Sequence, residues 1–186
     1  MGRLIAGLDF ESTGVDPEKD RIVEVAIVFM DLESGEEQGR FERRINPGIH
    51  IPAKAVAIHG ISDADVMGAP SFAEIAPGFV KLLARVDLLI GHNIERFDAP
   101  LLVHELVRAG VSPPHFPPVF DTMLHGRGCT DDGKIPRLGE LCFALDVPYD
   151  LGRAHQATYD VLVNLQAFRR GWQLGVFTVP ELEEVG

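Results

Sequence analysis

Five side chains in three short segments of this sequence could carry out hydrolysis. The first segment is Asp9-Phe10-Glu11, which ends an apolar run from Leu4 and precedes Ser12-Thr13-Gly14. Residues two apart on a strand point to the same face, so both carboxylates project together while Phe10 turns toward the core. Adjacent anions repel unless a cation sits between them, and hard oxygen donors of this kind suit Mg²⁺ or Mn²⁺. The second segment is His92-Asn93-Ile94-Glu95-Arg96-Phe97-Asp98, where polar residues end an apolar strand and Asp98 enters the first turn of a helix. His92 reads as a structural hydrogen-bonding group rather than a ligand. The third is His155-Gln156-Ala157-Thr158-Tyr159-Asp160. Residues five apart on one helix do not share a face, so His155 is expected on the approach to a helix and Asp160 on the helix itself. An imidazole with an ordinary pKa of roughly 6.5 can take a proton from water, whereas a carboxylate committed to a metal cannot.

Hydrophobic periodicity indicates the elements that must position these groups. Leu4 to Phe10 reads as a buried strand, Ile22 to Phe29 as a second, and Phe41 to Ile45 as a third, following turn residues in 31–39. Short connections make these an antiparallel meander. A loop holding a short helix at Pro52 to Ile58 leads to a helix over 71–85, with Ser71 and Glu74 as a capping box. A strand at 87–91, a helix at 98–109 ended by Gly110, a short strand at 119–121 and helices at 138–145 and 157–174 follow. Three strands, then helices and strands in alternation, imply an α/β fold in which a mixed sheet is flanked by helices. A length of 186 residues fits one domain, expected over 1–176, with a frayed tail at 177–186.

Hydrophobic residues make up 46% of the chain, yet no apolar run approaches the roughly 20 residues that would cross a membrane. The opening Met1-Gly2-Arg3-Leu4-Ile5-Ala6 lacks a secretory signal, and Cys129 and Cys142 have no second thiol at metal-ligand spacing. A cytoplasmic protein with reduced thiols is expected. The net charge of −11 opposes extended phosphate binding. Part of that charge is the carboxylate set itself, which cations would neutralise. A short footprint on a nucleic-acid end is therefore expected.

Taken together, the three segments resemble the DnaQ-like exonucleases of the DEDD superfamily, in the subgroup that uses histidine. The pattern of that subgroup is Asp-x-Glu, a central Asp, then His-x-x-x-x-Asp, and Asp9, Glu11, Asp98, His155 and Asp160 supply it in order. Ile45-Asn46-Pro47-Gly48 and Ile58-His59-Gly60-Ile61 resemble connecting motifs of DNA polymerase III epsilon-type proofreading exonucleases. Arg96, followed by Phe97-Asp98-Ala99-Pro100-Leu101-Leu102, looks more like the three-prime repair exonucleases.

The resemblance implies an RNase H-like fold with a five-stranded mixed sheet. It also implies two divalent cations, Mg²⁺ or Mn²⁺, held by Asp9, Glu11, Asp98 and Asp160, with His155 deprotonating the attacking water. Two cations roughly 3.5–4 Å apart can serve both the attacking and the departing oxygen. The implied substrate is the 3′ end of a single strand, with DNA expected ahead of RNA and a nucleoside 5′-monophosphate as product. By the same resemblance Thr13, Ser12 and Phe10, with the backbone amides after Glu11, would hold the terminal nucleotide, and His59, Ile61 and Asn93 would lie near it. Asp121 reads as structural. A DNA polymerase subunit is a candidate partner and proofreading or repair a candidate role. Gln173-Leu174-Gly175-Val176-Phe177 approximates a sliding-clamp peptide but carries little weight, because such short motifs recur by chance. The rival readings are an RNA-trimming or oligoribonucleotide exonuclease, a phosphodiesterase of small nucleotides, and a non-catalytic adaptor with this fold.

Overall fold

The computed structural model describes residues 2–112, 116–130, 133–154 and 156–179. Strands β1 (Leu4–Ser12), β2 (Ile22–Asp31) and β3 (Glu37–Arg44) form the expected antiparallel meander. Two short helices, α1 (Ala53–His59) and α2 (Asp63–Val66), precede the longer α3 (Phe72–Leu83). Then β4 (Leu88–Gly91), α4 (Asp98–Arg108), β5 (Val119–Asp121), the short α5 (Thr122–His125), α6 (Leu138–Ala144) and α7 (Ala157–Gln173) follow. The five strands lie in the order β3-β2-β1-β4-β5, with β4 and β5 parallel to β1. This is the mixed sheet flanked by helices that the sequence implies.

Alternation along β1 sorts the two layers. Ala6, Leu8 and Phe10 are buried with Phe72, Phe79, Leu101 and Leu102 of α3 and α4. Ile5 on the opposite face joins Ala26, Val28 and the α7 residues Val161, Leu165 and Phe168. A Cβ on Gly7 would stand 2.8 Å from Leu165 Cγ and 2.8 Å from Val161 Cγ1. Only glycine lets α7 approach β1 this closely.

Local chemistry accounts for the element ends. The Ser71 N–H and hydroxyl donate to the Glu74 carboxylate at 2.7 and 2.8 Å, the expected box at the start of α3. Strand β3 begins four residues before the expected Phe41: a register shift opposite Phe29 and Met30 absorbs the turn-like residues, and Gly39 takes φ 151°. Helix α2 went unread because four residues show no helical period; its start is fixed by Ser62, whose N–H and hydroxyl donate to Asp65.

Residues 177–179, placed in the expected tail, are ordered against the core. Phe177 and Val179 are each 2% exposed, and the Phe177 ring stacks on Phe168 at 6.2 Å. Gly171 leaves the space that ring fills, since a Cβ there would meet it at 2.3 Å. The aromatic that a clamp-binding peptide would need on the surface is therefore committed to the core. Residues 180–186 of the expected tail lie outside the described residues. Among those described, no helix is long and apolar enough to cross a membrane.

Candidate active site

Strand β1 delivers the first two carboxylates. Asp9 and Glu11 share the α7 side of the sheet, and Phe10 between them is 4% exposed, its ring 6.3 Å from that of Phe79. The third comes from the first residue of α4. Asp98 is 3% exposed, and its Oδ1 accepts a hydrogen bond of 3.1 Å from the Phe10 N–H, tying the α4 terminus to β1. The fourth, Asp160, sits in the first turn of α7.

Electrostatics show that these four groups share one field. Burial first, then the charges of Asp160 and Glu24, raise Asp9 from 3.8 to about 7. Burial first, then Asp9, Glu24 and Asp160, raise Glu11 from 4.5 to about 8. Asp98 is raised by its burial and then by Asp9. Anions packed this way hold protons at neutral pH unless a cation takes their place. Among the described residues no three acidic, histidine or cysteine side chains stand close enough to cage an ion unaided. A cation such as Mg²⁺ keeps waters and binds through one or two carboxylates plus substrate phosphate. The hard-oxygen donor set fits such ions.

A ring of supporting groups fixes the carboxylates. Asp121, fully buried, accepts from the N–H groups of Asn93, Glu95, Met123 and Leu124 at 3.0, 3.2, 2.9 and 3.3 Å. It thereby clamps the loop that leads into Asp98, and its carboxylate is structural, as its position implied. Asn93 adopts φ 70°, a left-handed conformation that asparagine tolerates. His92 faces the Thr122 hydroxyl at 3.1 Å, and burial lowers its pKa, so it serves structure. Burial first, then the Asp160 charge, push the Tyr149 hydroxyl up to about 12.

Several residues expected to hold the terminal nucleotide are otherwise engaged. The Phe10 ring is core, and its N–H serves Asp98. The Thr13 hydroxyl donates to Asp20 at 2.8 Å and accepts from the Arg21 N–H at 3.0 Å, while its own N–H goes to the Arg21 carbonyl at 2.9 Å. Ser12 Oγ donates to the Gly14 carbonyl at 2.6 Å. Ile61 is 1% exposed, packed with Val23, Ile51 and Val66. A branched apolar residue after Gly60 fills this small core in preference to meeting a base. His59 stays near the site in a fixed tautomer. Its Nδ1 accepts from the Ile61 N–H at 3.0 Å, so Nε2 carries the hydrogen and donates to the Ser12 carbonyl at 3.2 Å. His155 lies outside the described residues.

Sequence reasoning missed two neighbours of the carboxylates. Glu24 lies directly across β2 from Glu11 and is ion-paired to Arg44 at 2.9 Å. Its signal was present: a lone acid within the apolar run Ile22-Val23-Glu24-Val25. Tyr149 had no comparable mark.

Comparison with known proteins agrees with this architecture. A family model described as exonuclease, RNase T, matches residues 6–168. A DNA polymerase III subunit epsilon-like protein of Rhodobacter capsulatus is 31% identical over 163 residues, covering 87% of this chain and 23% of that protein. The 3′-5′ exonuclease DinG of Bacillus subtilis is 31% identical over 183 residues, 96% of this chain and 19% of that protein. The chain thus spans about a quarter or less of the length of these relatives. Exonuclease I of E. coli in complex with a dT13 oligonucleotide superposes with a TM-score of 0.77 at 21% identity, covering 93% of this chain and 42% of that one. A zinc-bound exonuclease I complex with single-stranded DNA gives a TM-score of 0.80 at 19% identity, over 94% and 41% of the two chains. These structures share the RNase H-like exonuclease fold with this chain.

Proposed function

Because this chain belongs to the RNase T family of exonucleases, we propose that it shortens single-stranded DNA from the 3′ end in a reaction that depends on two divalent cations. The observation that carries the reading is that β1, α4 and α7 bring carboxylates within reach of one another's charge: Asp9 feels Asp160, Glu11 feels Asp9 and Asp160, and Asp98 feels Asp9 while accepting the Phe10 N–H.

When bound, the two cations lower the pKa of the attacking water and stabilise the departing 3′ oxygen. Asp9, Glu11, Asp98 and Asp160 would hold them. Asp98 is oriented by the Phe10 N–H, and the Tyr149 hydroxyl stands within the field of Asp160. His155 accepts the proton of the water as its oxygen bonds to phosphorus. The bond from phosphorus to the 3′ oxygen of the preceding nucleotide breaks, and a nucleoside 5′-monophosphate leaves. The DNA side of the reading is supported by relatives named for DNA polymerase III and by exonuclease I complexes with oligodeoxynucleotides. A role in proofreading or repair beside a DNA polymerase is supported by the relatives named for DNA polymerase III.

Digestion of 5′- and 3′-labelled single-stranded DNA and RNA with Mg²⁺ or Mn²⁺, beside an Asp160→Asn control, tests this reading. Cation-dependent shortening of DNA from the 3′ end, lost in the variant, is expected. Preference for RNA would move the protein to RNA trimming. No cleavage of either polymer by folded, cation-supplied protein would leave the adaptor reading.

A further inference from the structure

The candidate catalytic face continues sideways across the sheet. Glu11 pairs with Glu24 on β2, and Glu24 pairs with Arg44 on β3, so the three stand in one transverse row. Directly paired residues share a face, which makes the next rows Asp9–Ala26–Glu42 and Gly7–Val28–Arg40. Helix α7 presses on the Gly7 row. Toward the β3 edge a cleft of about 360 Å³ opens, lined among others by Glu24, Arg40, Arg44, His59, Arg153 and Thr158. Arg40, Arg44 and Arg153 here stand beside Glu24 and Glu42, which leaves a small cationic surplus in a chain of net charge −11.

Arg44 is held in place. Its Nε lies 2.9 Å from Glu24 Oε1; the arginine side chain is 45% exposed and the glutamate side chain 10%. A largely buried carboxylate neutralised by a guanidinium is committed to holding it, and is a poor candidate for a further cation ligand. The guanidinium has five N–H donors in a planar fork, the shape that matches a phosphate. Roughly 4.8 Å separates neighbouring strands, so the Arg44 backbone lies two such steps from Glu11. An extended arginine covers part of that distance, bringing its fork within about one nucleotide of the carboxylates.

We propose that Arg44, braced by Glu24, grips the phosphate immediately upstream of the scissile bond, so that the single strand reaches the Asp9–Glu11 face along the β3 cleft. The inference rests on the exonuclease reading above. It makes Arg44 a substrate-binding residue and Glu24 a positioning residue. Arg153 extends the cationic lining to phosphates further along; Arg40 is held by Glu37.

Two substrates separate this proposal from that reading. A single-stranded oligothymidylate has upstream phosphates; the p-nitrophenyl ester of thymidine 5′-monophosphate has only the scissile one. Arg44→Gln should lower kcat/KM on the oligomer about 10-fold relative to the ester, through KM, and reduce the salt dependence of oligomer binding by about one phosphate contact. Arg44→Lys should recover part of the loss, because a point charge replaces a fork. Glu24→Gln combined with Arg44→Gln leaves no unpaired charge and should show the same oligomer-specific loss, with thermal melting confirming the fold. An unchanged ratio and salt slope in a folded variant would overturn the proposal while the exonuclease reading stands. Failure of the unsubstituted protein on both substrates would remove the exonuclease reading and this one with it.

Discussion

The two faces of β1 make opposite demands on the same nine residues. Ala6, Leu8 and Phe10 are buried against α3 and α4 and hold the strand in place. Gly7, Asp9 and Glu11 face the α7 side, where Gly7 admits the helix and the two acids carry raised pKa values of about 7 and 8. One face stabilises the fold; the other, without a cation, costs stability above acidic pH. The contrast teaches that the destabilised face can exist because the apolar face and the Asp98–Phe10 bond over-determine the backbone between them.

The greatest loss is expected from the polar face. Asp160→Asn should lower kcat/KM by about 10³-fold or more, several kcal/mol of transition-state stabilisation, with a melting temperature no lower than that of the parent. Steady-state kinetics and calorimetry would read both. From the apolar side, Phe10→Ala should cost about 3–5 kcal/mol by chemical denaturation, the price of a large buried ring. Gly7→Ala tests the join between the faces. The added methyl meets Leu165 and Val161, so a loss of about 1–3 kcal/mol is expected, with reduced activity because α7 carries Asp160.

The pH dependence sharpens the contrast further. In the unfolded chain Asp9 and Glu11 ionise near their ordinary values, 3.8 and 4.5, but in the fold near 7 and 8. The folded state therefore holds their protons more tightly. Stability they contribute is full below about pH 4 and is lost as pH rises through about 7 to 8. Mn²⁺ binds the ionised forms, so its stabilising effect should grow over that window. A cation at 100 times its Kd adds about 2.7 kcal/mol, or roughly 5–10 °C in Tm for a chain of this size. At pH 5 the gain should be much smaller.

Much of this was legible because alternation and motif spacing are local. Asp9, Glu11, Asp98 and Asp160 stand out as candidates only together, through the order of the family pattern they resemble, and the meander by its short turns. What stayed hidden depends on partners distant in sequence. Glu24 and Arg44 meet only through strand register, 20 residues apart. The engagement of Thr13 depends on Asp20 and Arg21, and the burial of Ile61 on a small core assembled from β2 and α1. Phe177 reads as tail until Gly171 is seen to make room for its ring. Hydrophobic periodicity also misses the first half of β3, an edge strand whose exposed residues are mostly polar or charged.

The most direct test of the account is the melting of Asp9→Asn beside the parent at pH 8, in EDTA and in Mn²⁺. If the carboxylates form a cation site that is strained when empty, the variant melts higher than the parent in EDTA and loses most of the Mn²⁺-dependent gain. A variant that melts lower in EDTA, or keeps the full gain with Mn²⁺, would contradict it.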